Sequence, residues 1–135
     1  HGGNAGILGA AATALADHGL RALAVSYWSP LGAELSVLAP GDRGHIGHAG
    51  QAETSIQLYL QPALVRQELA TADRCADLAT VFGAGPPHGG YAPPDPAREA
   101  PDGVYGAAPA GRAEIGRQLV ALAAERLAEV IRTWR

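Results

Sequence analysis

The chain predicts an α/β fold with a parallel sheet, and three observations carry that expectation. A helical pattern opens the sequence, an apolar run of strand character follows it directly, and a second helical pattern starts after a glycine-rich loop. A helix that leads straight into an apolar strand is half of a β-α-β unit, in which the helix crosses between neighbouring parallel strands. The strand that should precede this first helix would lie upstream of His1. With no methionine anywhere and a start on His1-Gly2-Gly3-Asn4, the chain reads as a piece of a longer protein.

The elements follow in order. Asn4 is placed to cap a helix whose apolar residues Ile7, Leu8, Ala11, Ala12 and Leu15 recur at spacings of three and four, with Gly19 as its stop. Arg21 to Tyr27 carries β-branched and aromatic residues and fits a buried strand. Trp28-Ser29-Pro30 ends it, since proline lacks a backbone donor and disfavours helix at the residue before it. Leu31 to Gly47 reads as a long loop in which Ala33 to Leu38 can form one helical turn or an edge strand. After Gly50 the pattern is helical through Leu60, and Pro62 to Arg66 can start a short turn. Gln67 to Phe82 is ambiguous. Gly83 to Asp102 is too rich in glycine and proline for a regular ladder of backbone hydrogen bonds. Gly103 to Gly106 is at most a short strand. Pro109 opens the strongest helix, with Ile115, Leu119, Leu122, Leu127, Val130, Ile131 and Trp134 along one side and Arg126, Glu129 and Arg132 on the other.

Composition removes several classes of function. The chain has 135 residues, one domain's worth, and a formal charge of −3. No basic stripe interleaved with aromatics marks a nucleic-acid surface. The apolar runs fall far short of the roughly 20 residues of a membrane span, and there is no signal-peptide pattern. A soluble, cytoplasmic chain is expected. The single cysteine, Cys75, has no disulfide partner and no metal-motif neighbour.

Chemistry concentrates at two places. In Gly47-His48-Ala49-Gly50-Gln51-Ala52-Glu53-Thr54-Ser55 an imidazole and a carboxylate bracket the turn from a glycine-rich loop into a helix, and His1-Gly2-Gly3-Asn4 sets a second imidazole just ahead of a helix start. Imidazole is the commonest protein ligand for a divalent metal and also moves protons near neutral pH. Together the two points suggest a metal-assisted hydrolytic site, only part of which lies in this chain. Plainer readings stand beside this one: a turn leading into a capped helix at His1, a loop histidine bonded to a nearby carbonyl at His48, and at Glu53 a carboxylate stabilised by the free amides and dipole of a helix start. His45 and His48 are three apart, but Gly44 and Gly47 disfavour a helical two-ligand face. Ser55 lacks the Gly-x-Ser-x-Gly elbow of a serine hydrolase. His88-Gly89-Gly90 echoes the opening motif without a periodic segment after it.

The order His1-Gly2-Gly3-Asn4, then Gly47-His48-Ala49-Gly50-x-x-Glu53-Thr54-Ser55, then Pro62-x-Leu64-Val65, and finally Gly103-Val104-Tyr105-Gly106 leading to Glu114-x-Gly116-Arg117, resembles the creatinine amidohydrolase (creatininase) family over nearly the whole chain. The resemblance implies a three-layer α/β/α sandwich with a largely parallel sheet, here its C-terminal part over residues 1–135. It also implies hexameric assembly and a site with two divalent metal ions (zinc, manganese or iron) that hydrolyses non-peptide or unusual amide bonds of small molecules through a metal-activated water. His1 matches the family's metal-binding histidine and His48 its proton-transfer histidine. Gly3 stands where creatininase proper has a ligating glutamate, which argues against creatinine as substrate. Glu53 is the carboxylate available as a replacement ligand. The family's Glu-x-His and Asp ligands belong to an N-terminal half that these residues do not include. The competing expectation is a truncated, non-catalytic homologue that serves as an oligomerisation or binding module.

Overall fold

The computed structural model describes residues 1–71 and 100–134, and these form four α-helices joined by 3-10 turns. They are α1 (Ala5–Asp17), α2 (Ala33–Leu38), α3 (Gln51–Leu60) and α4 (Ala113–Thr133). Among the described residues there is no strand and no sheet, so the expected parallel α/β/α sandwich is not what the chain forms here. The β pairing among the described residues is an isolated antiparallel bridge between His48 and Tyr105. The expected strand at Arg21 to Tyr27 has no regular structure before it turns at Tyr27 and Trp28. An apolar run specifies burial, but a strand takes its hydrogen bonds from a neighbour, and none of the described residues lies alongside to supply them. Leu23 and Val25 stay 47% and 42% exposed.

α1 forms where the periodicity places it and stops as expected. Gly19 takes the left-handed conformation (φ 72°). Its amide donates to Ala16 O at 2.9 Å and that of Leu20 to Leu15 O at 3.0 Å, the paired bonds of a Schellman ending. Its start differs from expectation. The Asn4 side chain makes no capping bond; instead a 3-10 turn, Gly2–Asn4, precedes the helix and is capped by the His1 ring. α1 buries no residue.

The core lies elsewhere, between α3 and α4 with α2 and its flanking turns folded against them. Leu31, Leu35, Ala39, Ala52, Leu119 and Ala123 form it, with Trp28, Leu38, Ile46, Ile56, Ile115 and Leu122 packed around. Leu31, Leu35 and Ala39 recur every four residues, a helical spacing inside the stretch expected to be a loop. The 3-10 turn Ser29–Leu31, α2 and the 3-10 turn Pro40–Asp42 carry that spacing across Gly32 and Pro40. α4 packs on α3 rather than on a sheet, with Gly116, Leu119 and Ala123 buried. It begins at Ala113 because Pro109 sits in a separate 3-10 turn, Ala108–Ala110. Arg126, expected on the solvent side, reaches across to Glu34 of α2 at 2.7 Å. No helix among the described residues is long and apolar enough to cross a membrane.

Candidate functional site

The loop from Pro40 to Gly50 is fixed by a residue without an obvious signature. Asp42 is fully buried. Its Oδ1 accepts from Gln51 N at 2.7 Å and from Ala107 N at 3.1 Å, and its Oδ2 from Ala52 N at 2.7 Å. One carboxylate thus satisfies the first two orphan amides of α3 and faces its positive dipole end. It also ties in the segment after Tyr105. The role demands small neighbours, since a side chain on either Gly50 or Gly106 would run into the Asp42 carboxylate. The Gln51 side chain adds two more ties, accepting from Gly41 N at 2.8 Å and donating to Ala110 O at 3.4 Å.

On this frame His48 is held by its backbone. Its amide donates to Tyr105 O at 3.0 Å and its carbonyl accepts from Tyr105 N at 2.7 Å. Gly47, at φ 63°, lets the Tyr105 carbonyl approach. The half-buried His48 ring lies between two others. Tyr105, buried, is tilted at 57° with centroids 5.5 Å apart, and His1 is stacked at 4.9 Å with 23° between the planes. The two histidines singled out in separate motifs are therefore neighbours in space. His45 is exposed and outside any helix, so it forms no two-ligand face with His48.

The rest of the motif turns inward. Glu53 Oε2 accepts from Ala49 N at 2.7 Å, a helix-start carboxylate reaching back to its own loop. That contact holds Ala49 in its left-handed conformation, φ 47°. Thr54 Oγ1 donates to Ala49 O at 3.2 Å. Ser55, fully buried, donates to Gln51 O at 2.6 Å and accepts from Arg112 N at 3.0 Å, so its hydroxyl caps the start of α4. Beside them opens a cleft of about 560 Å³, lined by Tyr27, Ala49, Glu53 and Arg66 among others. Burial, and secondarily the nearby Glu53 charge, push the Tyr27 phenol above its ordinary range.

Imidazole nitrogens suit a borderline divalent ion, but the described residues as arranged do not complete a metal site. His1 Nδ1 accepts from Gly3 N at 3.1 Å. A neutral imidazole that accepts through Nδ1 carries its proton on Nε2, so His1 presents no free lone pair until the Gly3 bond yields. The His1 and His48 rings meet face to face, and no three His, Cys, Asp or Glu side chains among the described residues gather as a metal set, Glu53 included.

Asp42 is the residue that reading the sequence missed. Pro40-Gly41-Asp42 looks like loop punctuation, and nothing local shows that its carboxylate serves a helix nine residues on and an amide beyond Tyr105. Gly106 gave a faint signal, a glycine in a stretch otherwise read as strand. Cys75 and His88 lie outside the described residues.

No curated protein matches the chain, and no solved structure does. The Creatininase family model, described as creatinine amidohydrolase, matches residues 1–131. That span takes in His1, the His48 bridge, the Glu53 helix start and the closing helix, and the chain belongs to the creatinine amidohydrolase family.

Proposed function

We propose that the chain is part of an amidohydrolase that cleaves a carbon–nitrogen bond, other than an ordinary peptide bond, in a small cyclic or linear amide. The observation that carries this reading is the stacking of His1 on His48 at 4.9 Å, which brings together the imidazoles of two separate motifs of the family pattern. His48 is the proton-transfer group. Its backbone is locked to Tyr105 while its ring is only half-buried, so it can deliver a proton to the nitrogen that leaves. An amine departs poorly unless protonated, which is why an amide-cleaving site needs such a group. The family's divalent metals, when bound, supply Lewis acidity to the carbonyl and acidify a water. The described residues do not complete a metal set, and the part of His1 is its place beside the His48 ring.

A second reading has its own support. Glu53, Thr54 and Ser55 all spend side-chain atoms on backbone groups, as in a domain that keeps the fold's joints without the chemistry and acts as a binding or oligomerisation module. Incubating the full-length protein with a panel of small amides, with zinc, manganese or iron added, and following carboxylate formation by NMR separates the two. Turnover lost in His48→Ala supports the hydrolase; no turnover on any amide with any metal leaves the module.

A further inference from the structure

His48 stands between two left-handed residues, Gly47 before it at φ 63° and Ala49 after it at φ 47°. That conformation costs glycine little, but it crowds the β-carbon of any other residue and is sparsely populated. A residue held there persists only where its surroundings over-determine it. Around Ala49 they do. The Glu53 carboxylate accepts from its N–H at 2.7 Å, and the Thr54 hydroxyl donates to its C=O at 3.2 Å. Two consecutive side chains in the first turns of α3 therefore grip both backbone polar groups of the residue that follows His48. The grip bears on His48 itself, because the bridge to Tyr105 is isolated and a single pair does not fix the direction in which the chain leaves it.

We propose that Glu53 and Thr54 are positioning residues for His48: by fixing Ala49 in its left-handed conformation they aim the imidazole that delivers the proton. The assignment rests on the hydrolase reading and gives Glu53 a part other than that of metal ligand. Only an acceptor oxygen is needed at Glu53, so glutamine, which keeps one at the same reach, can replace it and alanine cannot. A ligand or a proton carrier behaves otherwise, since there glutamine is nearly as damaging as alanine. At Thr54 the matching pair is serine, which keeps the hydroxyl, and valine, which keeps the methyl that faces Gly111.

The test uses the full-length protein, with kcat, KM and bound metal measured on an amide that it hydrolyses and carbon-13 spectra of the His48 ring recorded on the same samples. Misaiming a proton-transfer group acts on the transition state rather than on binding. Glu53→Ala and Thr54→Val should therefore lower kcat roughly 10- to 100-fold, while KM and metal content stay near wild type. Glu53→Gln and Thr54→Ser should keep most of the rate. The His48 ring signal should shift or broaden in the two damaging variants and return in the two conservative ones. Loss of metal in Glu53→Ala, equal damage in Glu53→Gln, or a kcat untouched by both Glu53→Ala and Thr54→Val overturns the proposal. If Glu53→Ala does not fold, Thr54→Val against Thr54→Ser decides alone. Failure of the hydrolase reading looks different: the wild type turns over no amide with any metal while the His48 ring signal still follows the variants, which keeps the grip on Ala49 and removes the reaction. No turnover together with an unmoved ring signal overturns both.

Discussion

Gly116 of α4 lies against the Ser55 carbonyl of α3 so closely that a β-carbon there would overlap it. The contact sets the separation of the two helices that hold the core. Gly116→Ala should therefore destabilise the fold by roughly 1–3 kcal/mol, as overpacking does. Gly9→Ala is the contrast, since nothing lies within 4 Å of a β-carbon at that mid-helix position. There the gain in helix propensity should stabilise α1 by roughly 0.5–1 kcal/mol. A urea melt checks Gly116→Ala, amide exchange within α1 checks Gly9→Ala, and a neutral Gly116→Ala would mean that the helices are not in close contact.

Asp42→Asn tests the buried cap. Asparagine keeps the shape but offers one acceptor oxygen, turning an NH₂ group toward an amide that needs an acceptor. With hydrogen bonds to a charged group worth about 1.5–3 kcal/mol each, a loss of roughly 2–4 kcal/mol is expected. A midpoint of urea unfolding within error of wild type would contradict the assignment.

For His48→Ala the expectation divides structure from chemistry. The bonds to Tyr105 are made by backbone, so far-UV circular dichroism should stay close to wild type. In the full-length protein, turnover of a substrate amide should fall on the order of 10²–10⁴. Most of that loss should vanish for an amide whose leaving group needs no proton. An unimpaired variant would return His48 to a loop histidine held by its neighbour's carbonyl.

Glu114 carries a pH prediction. Hydrogen bonds from Arg117, then from Gln118, hold its carboxyl well below its ordinary value, down to about 2. A depressed carboxylate stabilises the fold above its unfolded pKa, and that contribution disappears as pH falls from the ordinary value of 4.5 through about 2. Both partners are more than half exposed, so the effect on stability should be small and reduced by salt. Carbon-13 titration of the Glu114 carboxyl should give the low midpoint in the wild type, and a higher one, still below the ordinary value, in Arg117→Gln, where the Gln118 bond remains.

Some of this was legible in the residues and some was not. The Gly19 stop, the helix after Gly50 and the closing helix follow from period and turn chemistry, which are local. His48 and His1 stood out because each imidazole sits just ahead of a helix start, and the fold does bring them together. The strand at Arg21 to Tyr27 failed for the opposite reason: an apolar run reports hydrophobicity, while pairing depends on another segment. Asp42 was hidden for the same reason in polar form, since a cap contributed from outside the helix has no fixed spacing. Glu53, placed beside His1 as a metal ligand by analogy, spends at least one oxygen on the Ala49 amide, a role that the N3 position of any helix invites.

The two helix starts are linked in series: Asp42 holds the first amides of α3, and Ser55, a residue of α3, holds the backbone that opens α4. In hydrogen-exchange terms this chain of caps makes one opening unit. The amides of Gln51, Ala52, Ala107 and Arg112 should exchange with a common free energy, because releasing Asp42 loosens α3 and with it the seat of Ser55. α1, which buries nothing, should open on its own, at far lower cost and long before the rest.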